Sequence, residues 1–100
     1  MLDSKSYEEY AAQVNTRFQL LETSPVLELV LTEITEKKLT AQQEYFSLVF
    51  LGANELCLPQ RTYQMKHEHL GEGALFLVPV GQDNEGMRYE AAFNRLINAK

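Results

Sequence analysis

The sequence predicts a mainly β (α+β) domain, with one short helix followed by about six antiparallel strands in a meander or a small, partly closed barrel. Three observations support this fold class. From residue 16 onward, apolar and polar side chains alternate with the period of two that is typical of strands. Clusters of glycine, proline, asparagine and aspartate separate these runs at short intervals. The apolar runs between residues 58 and 94 are too short for ordinary amphipathic helices.

The helix is predicted over residues 4–14. Ser6 and Glu9 have the spacing of a capping box, in which each side chain accepts a hydrogen bond from the backbone N–H of the other residue. Asn15 suits the left-handed position that follows a helix. One apolar stripe at helical spacing contains Tyr7, Tyr10, Ala11 and Val14. Because so short a helix is not stable alone, we expect the stripe to pack on the sheet.

Two strands are predicted next. The first starts at Thr16 and directs Phe18 and Leu20 to one side. A turn at residues 23–25 leads to the second strand, over residues 26–35. The alternation of this second strand slips near Thr32 and Glu33, and one inserted residue would restore its phase. We therefore predict a β-bulge there.

The third strand is predicted over residues 45–51, after a polar loop over residues 37–44. Phe46, Leu48 and Phe50 share its inner face. Because the opposite face also carries apolar residues, we expect this strand to be central and covered on both sides. The fourth strand covers Arg61–His67, with Tyr63 and Met65 facing inward.

Two more strands complete the predicted sheet. Gly71 and Gly73 mark the reversal that leads to the fifth strand, over residues 75–80. Pro79 predicts an edge or a bulge in this strand, because proline has no backbone donor. A hairpin turn over residues 81–86 precedes the sixth strand, over residues 87–93. We expect residues 96 and 97 to add a final turn of helix.

Composition predicts one domain and excludes some function classes. A chain of 100 residues with 45% hydrophobic and 23% charged side chains forms a single core. We expect a domain over residues 1–100, with the helix at 4–14, a β-rich core at 16–94 and a tail at 95–100. The net charge of −5, with nine scattered cations, argues against binding to nucleic acid or to anionic membranes.

Three features of the sequence predict the cellular compartment. The single cysteine, Cys57, cannot form an internal disulfide, which fits a reducing compartment. The N-terminal residues lack an apolar stretch of signal-peptide length. No apolar run approaches the roughly 20 residues that span a bilayer. We therefore expect a cytoplasmic protein that does not enter membranes.

Four sequence strings, in order along the chain, resemble a known family. They are FSLVFLG at residues 46–52, LPQ-x-TY at 58–63, LG-x3-LFLVPVG at 70–81 and GMRYEAAFN at 86–94. Together they are similar to a family of small bacterial proteins known only as a domain of unknown function. The resemblance implies no activity, cofactor or catalytic residue. The neighbourhood of some members implies an accessory role beside phage-tail-like proteins. Gly52-Ala53 stands where the family pattern has Gly-Pro.

The candidate catalytic and metal-binding residues each have a simpler interpretation. His67 and His69 are spaced as two ligands on one strand face, but no third ligand stands at motif spacing. We interpret them as a partly exposed pair beside a turn. Cys57 lies between two leucines and is predicted to be buried rather than nucleophilic. The carboxylates that alternate with apolar residues are interpreted as solvent-facing: Glu22, Glu28, Glu33 and Glu36. We predict no catalytic residue, no bound metal and no cofactor.

Two features are candidates for a binding surface. The first is a polar set within the family-like strings, and it contains Gln60, Arg88, Glu90 and Asn94. These residues either line a binding surface or bond to strand-end backbone and to strand neighbours, and we favour the second interpretation. The second feature is the uncharged window at residues 75–80, which is either a buried strand or an edge that recruits a partner strand. Phe76 is predicted to face the core, which leaves Leu77 as the outward binding residue.

These observations favour a non-enzymatic interaction or assembly domain that binds an unidentified protein partner through a sheet face or edge. We expect a monomer or a weak homodimer. The alternative is a β-barrel that binds a small molecule in an open mouth. A hydrolytic enzyme without a recognisable motif ranks third.

Overall fold

The computed structural model describes residues 1–23, 26–54 and 57–96. The elements, in chain order, are a 3₁₀ turn (Leu2–Ser4), α1 (Tyr7–Ala11), β1 (Arg17–Leu20), β2 (Leu27–Ile34), β3 (Lys38–Leu39), β4 (Gln43–Gly52), β5 (Arg61–His67), β6 (Gly71–Asp83) and β7 (Gly86–Leu96). The mainly β fold class with one short α-helix is therefore confirmed for the described residues.

Six of the strands form a closed antiparallel barrel. Neighbouring strands follow the order β2-β1-β5-β6-β7-β4, and β2 also pairs with β4, which closes the ring. The longest register joins β4 to β7, from Gln43 opposite Leu96 to Gly52 opposite Met87. Within the described ranges, the short β3 pairs with β4 alone and lies outside the ring. Of the two predicted arrangements, the structure adopts the barrel.

The inward faces of the six strands fill the barrel with side chains. The predicted inner residues of β1, β4 and β5 are all buried, which confirms the period-two pattern. The core centres on Phe18 and Phe50, whose rings meet edge to face at 5.1 Å. The outer face of β4, predicted to be covered, is half-buried.

The bulge predicted in the second strand is confirmed. The register of β2 against β4 shifts between Leu31 and Glu33, because two residues of β2 occupy the space of one. A second bulge lies in β6, between Pro79 and Gly81. The prediction that Pro79 marks an irregular position in the ladder is therefore also confirmed.

The helix is shorter than predicted. The capping box of Ser6 and Glu9 is present, but α1 ends at Ala11 rather than at residue 14. Asn15 has the predicted positive φ, 74°. Its backbone N–H donates to the carbonyl oxygen of Leu31, and the Leu31 N–H donates to Thr16. Pairing with β2 thus begins at Asn15, and it replaces the last helical turn.

The segment before α1 contacts both β6 and β7 in the region where these two strands no longer pair with each other. Their pairing begins at Val78, opposite Glu90, and continues to the hairpin tip. In the part of β6 that precedes Val78, the 3₁₀ turn packs on the strand, and Gly73 leaves space for the backbone of Asp3. On the β7 side, Arg95 donates hydrogen bonds to the carbonyl oxygens of Lys5, at 2.6 Å, and Asp3, at 3.4 Å.

Several predicted boundaries need correction. The predicted loop at residues 37–44 contains β3 and the start of β4, joined by a turn in which the Thr40 hydroxyl accepts a hydrogen bond from the N–H of Gln43. The reversal after β5 is the turn at residues 68–70; Gly71, with φ 83°, starts β6, and Gly73 lies within it.

Two corrections concern the last hairpin and strand. Only residues 84 and 85 form the hairpin turn, because pairing extends to Asp83 opposite Gly86. Leu96 belongs to β7 and pairs with Gln43, so the helical turn predicted there is wrong. Position 97 lies outside the described residues, as does most of the turn predicted at 23–25. Among the described residues, no helix has the length and apolar character that a bilayer span requires.

Candidate functional site

A half-open cleft of about 550 Å³ lies beside His67, at the start of β1 and the end of β5. Its walls come from β1, from β2 and from the turn at residues 68–70. The residues that line it are Thr16, Arg17, Gln19, Glu28, Lys66, His67, Glu68 and His69. The cleft therefore contains both histidines that the sequence singles out.

His67 is buried, with 3% of its surface exposed, and both ring nitrogens have partners. Nδ1 accepts hydrogen bonds from the backbone N–H groups of His69, at 3.0 Å, and Leu70, at 3.2 Å. Nε2 lies 2.7 Å from Oγ1 of Thr16, whose hydroxyl donates to the carbonyl oxygen of Gln13. Because Nδ1 accepts and Thr16 already uses its proton, the imidazole is neutral and protonated at Nε2.

The surroundings of His67 favour its neutral form. Burial lowers the pKa of the imidazole below its ordinary value, and the neighbouring His69 lowers it further, while Glu68 acts in the opposite direction. The ring also packs on Phe18, with centroids 4.4 Å apart. His67 is thus a structural residue whose protonation state is set by its contacts.

The expectation of a partly exposed histidine pair is correct for His69 and wrong for His67. The His69 side chain is 63% exposed, and its ring centroid lies 5.8 Å from that of His67. The difference arises because His67 continues the inward face of β5 after Tyr63 and Met65. No group of three metal-ligating side chains occurs in the part of the chain that the structure describes.

The charged side chains of the cleft are paired or solvated. Arg17 lies 3.6 Å from Glu28, and both side chains are largely exposed, so this ion pair contributes little to stability. Glu22 outside the cleft accepts hydrogen bonds from Arg61, at 3.3 Å, and from the N–H of Gln64, at 3.2 Å. Glu33 and Glu36 are both exposed surface positions, as expected for the predicted role of solvation.

Cys57 is exposed, so the prediction that it is buried is wrong. Of the described residues that flank Cys57, Leu58 is buried. The N–H of Leu58 donates a 2.9 Å hydrogen bond to the buried Tyr89 hydroxyl, which holds this residue against the barrel. The backbone at this point is irregular rather than a strand, and alternation does not apply.

The polar set predicted from the family-like strings divides between two places. Arg88, Glu90 and Asn94 share the outer face of β7, whereas Gln60 is exposed in the segment before β5. Arg88 bonds to Asp83 at 2.9 Å and to Glu85 at 2.7 Å across the hairpin. The backbone N–H of Glu85 and the Arg88 guanidinium lower the pKa of Asp83. Arg88 therefore stabilises the hairpin.

Asn94 borders a second, shallower cleft of about 400 Å³ on the outside of β4 and β7. The residues that line it include Tyr45, Ala92 and Phe93, together with the charged Glu36 and Lys38. Phe93 stacks on Phe46 with centroids 4.8 Å apart, and Arg95 lies over the Phe93 ring at 4.8 Å. This aromatic group packs the end of the barrel nearest α1.

The window at residues 75–80 has the opposite orientation to the prediction. Leu77 is fully buried and Phe76 is 49% exposed, so placing Phe76 in the core was wrong. Leu77 follows Gly73 and Leu75 on the inward face, and the larger ring points outward. Val80, the extra residue of the bulge, is 53% exposed. The exposed apolar side chains of β6 are therefore Phe76 and Val80, a pair that we call the β6 patch.

Sequence reasoning missed Thr16, Tyr89 and Arg95 as organising residues. Each acts through a contact more than 30 positions away along the chain: with His67, with Leu58 and with Lys5 respectively. Tyr89 could have been recognised from the sequence, because an inward-facing tyrosine buries its hydroxyl and a buried hydroxyl needs a hydrogen-bond partner.

A comparison with family models matches residues 5–93 to the model described as Domain of unknown function (DUF6916). Searches of curated proteins and of solved structures found no match.

Proposed function

The chain belongs to the family described as a domain of unknown function (DUF6916), and from that premise we propose that it is a non-enzymatic interaction domain that binds a protein partner through the outer face of its barrel. The β6 patch is the observation that carries the proposal. Phe76 and Val80 expose about half of their surfaces on one strand. Large apolar side chains exposed on the same strand are a feature of protein-binding surfaces.

The backbone beside the patch supports the same proposal. Among the residues that the structure describes, β5 pairs with β6 only as far as Leu77, so β6 continues past the end of its neighbour on that side. The bulge at Val80 interrupts the ladder with β7. A strand segment with one unpaired side can add a strand from another chain, and apolar side chains beside it supply specificity.

The packing of the barrel favours this proposal over the small-molecule alternative. Barrels that bind ligands inside leave a hollow, whereas large inward side chains fill this interior, among them Phe18, Phe50, Met65 and Tyr89. The titratable groups also suit a non-catalytic role, because His67 and Arg88 are each held by two or more structural hydrogen bonds. Under this proposal the domain works as an accessory factor in the cytoplasm, as a monomer or weak homodimer.

The proposal is tested by affinity capture with a charged β6 patch. Phe76→Lys/Val80→Lys keeps the inward face intact, so the variant should fold and should lose the proteins that wild type recovers from its host lysate. Gln64→Lys is the matched control, because Gln64 is an exposed outward residue of the neighbouring β5. Quantitative mass spectrometry compares the three captures. Equal recovery by the double variant would exclude the patch as the binding surface.

A further inference from the structure

We propose that His67 is an acid-sensitive latch, which fastens the turn at residues 68–70 to the connection between α1 and β1 only while its imidazole is neutral. The latch is a regulatory feature of the fold, and it is independent of the β6 patch. It lies in the wall of the larger cleft, so its state determines the shape of that cleft.

The latch consists of three hydrogen bonds on one buried ring. Two of them tie the turn, because Nδ1 accepts from the N–H groups of His69 and Leu70. The third ties the other side, because Nε2–H donates to Thr16 at 2.7 Å. Thr16 itself is anchored by its bond to Gln13 and by the pairing of its carbonyl oxygen with the N–H of Leu31. His67 therefore connects two segments that are 51 positions apart.

Protonation is incompatible with this arrangement. A proton added at Nδ1 occupies the lone pair that accepts both backbone N–H groups, and three N–H donors then face one another. The hydrogen bonds from the His69 and Leu70 N–H groups to Nδ1 must therefore break. The new Nδ1–H is then a buried donor without an acceptor, which is costly unless the ring gains access to water. The hydrogen bond from Nε2–H to Thr16 can remain, because Nε2 carries a proton in both the neutral and the protonated ring. Acid therefore releases the turn first and leaves the connection at Thr16 in place.

The charges around the ring do not offset this effect. Arg17 on β1, Lys66 on β5 and the exposed His69 contribute positive or titratable groups, and the carboxylates are Glu28 on β2 and Glu68 in the turn. Arg17 and Glu28 form an ion pair with each other. Burial outweighs the attraction of Glu68, and the pKa of His67 is lowered. The neutral, latched form is therefore the stable one at neutral pH.

The test is nuclear magnetic resonance of the whole chain between pH 7.5 and 5. The His67 ring nitrogens should show the Nε2–H tautomer at pH 7.5. Protection factors of the His69 and Leu70 amides, corrected for intrinsic exchange, should fall below pH 6.5 by up to about tenfold per pH unit, the limit for uptake of one proton. Amides of the β4–β7 ladder should fall less, because their opening does not depend on the latch.

His67→Asn removes the titrating group, because the amide oxygen of asparagine can replace Nδ1 as an acceptor but does not titrate. Protection of the two turn amides should then be independent of pH over the same range. His69→Gln is the matched control, and it should keep the wild-type pH dependence. A wild-type Nδ1–H tautomer, or turn protection that does not change with pH in the wild type, would overturn the proposal. These two readouts need no variant, so they decide the question even if His67→Asn does not fold.

Discussion

The hydroxyl of Tyr10 donates a buried hydrogen bond of 2.5 Å to the carbonyl oxygen of Leu2, and this bond folds the N-terminal segment back on itself. Both side chains are fully buried. Burial raises the pKa of the Tyr10 hydroxyl, which therefore stays protonated and remains a donor. The bond holds the 3₁₀ turn beside β6 while the Tyr10 ring packs on Phe93, with centroids 5.3 Å apart.

Tyr10→Phe should therefore reduce the free energy of unfolding by about 1–3 kcal/mol, because it leaves a buried carbonyl oxygen without its donor. Urea denaturation followed by circular dichroism measures the change. Tyr7→Phe, which removes a hydroxyl from the same helix at a partly exposed position, should change stability by less than about 0.5 kcal/mol. Equal losses in the two variants would contradict the role given to the Tyr10–Leu2 bond.

Gly86→Ala should strongly destabilise the last hairpin. Gly86 has φ 151°, and a methyl group there would overlap the carbonyl oxygen of Gly52. We expect a loss of about 1–3 kcal/mol or more from the strained backbone alone. Gly81→Ala is the matched control on the opposite strand, because its new methyl group would meet no atom within 4 Å. Thermal melts of both variants measure the difference, and a similar melting temperature for the two would be inconsistent with the close approach of β4 and β7.

Phe50→Ala should reduce the free energy of unfolding by about 3–5 kcal/mol, since it removes a fully buried ring that packs on Phe18. A loss of that size is a large part of the total stability of a small domain. Denaturant titration checks it. A loss below about 1 kcal/mol would show that the space inside the barrel is refilled by neighbouring side chains.

Two neighbouring lysine substitutions should have opposite outcomes. Leu77→Lys places a charge in the filled interior and should prevent folding, because an unpaired buried ammonium group is not tolerated. Phe76→Lys changes a side chain that is 49% exposed and should leave the β-sheet spectrum intact. Far-UV circular dichroism and size-exclusion chromatography distinguish the two. A folded Leu77→Lys protein would reverse the orientation assigned to β6.

Stability should fall as the pH decreases below about 6.5, the ordinary pKa of histidine. His67 has a lowered pKa in the folded state, so the unfolded chain binds its proton first. The stabilisation is complete above that pH and is lost down to the folded pKa, by at most about 1.4 kcal/mol per pH unit for one proton. Carboxylates with lowered pKa, such as Asp83, act in a more acidic range. Urea unfolding at pH 7.5 and 5.5 measures the effect, and a free energy that rises on acidification would be contrary to this assignment.

Alternation of side chains was sufficient to place most of the strands and the inner residues of β1, β4 and β5. It could not give the partners of these strands, since the pairing of β1 with β5 and of β2 with β4 depends on contacts far apart in sequence. The bulge near Glu33 was predictable because a phase slip is visible in the sequence itself. The helix end at Ala11 was not, because pairing of Asn15 with Leu31 overrides the local pattern.

The orientation of β6 shows how a site prediction can fail on a uniform sequence. Residues 75–78 are all large and apolar, so alternation gives no phase, and side-chain size is the remaining difference between the two faces. Size favours burial of Phe76, but Gly73 fixes the phase by packing against the N-terminal segment, which places Leu77 inside. The spacing of His67 and His69 is visible in the sequence itself. Their difference in burial arises because β5 ends at His67, which is inward-facing, while His69 lies in the turn that follows.

The pairing of β4 with β7 has a consequence for how the chain folds. The residues that pair along this ladder are separated by 35 to 53 positions, since Gly52 lies opposite Met87 and Gln43 opposite Leu96. Closing so long a loop has an entropic cost that local contacts do not offset. Proteins dominated by contacts between residues far apart in sequence therefore fold slowly. During synthesis, the barrel cannot close until β7 has left the ribosome. Until then the apolar edge of β4 is open to other chains, and aggregation competes with folding at this stage.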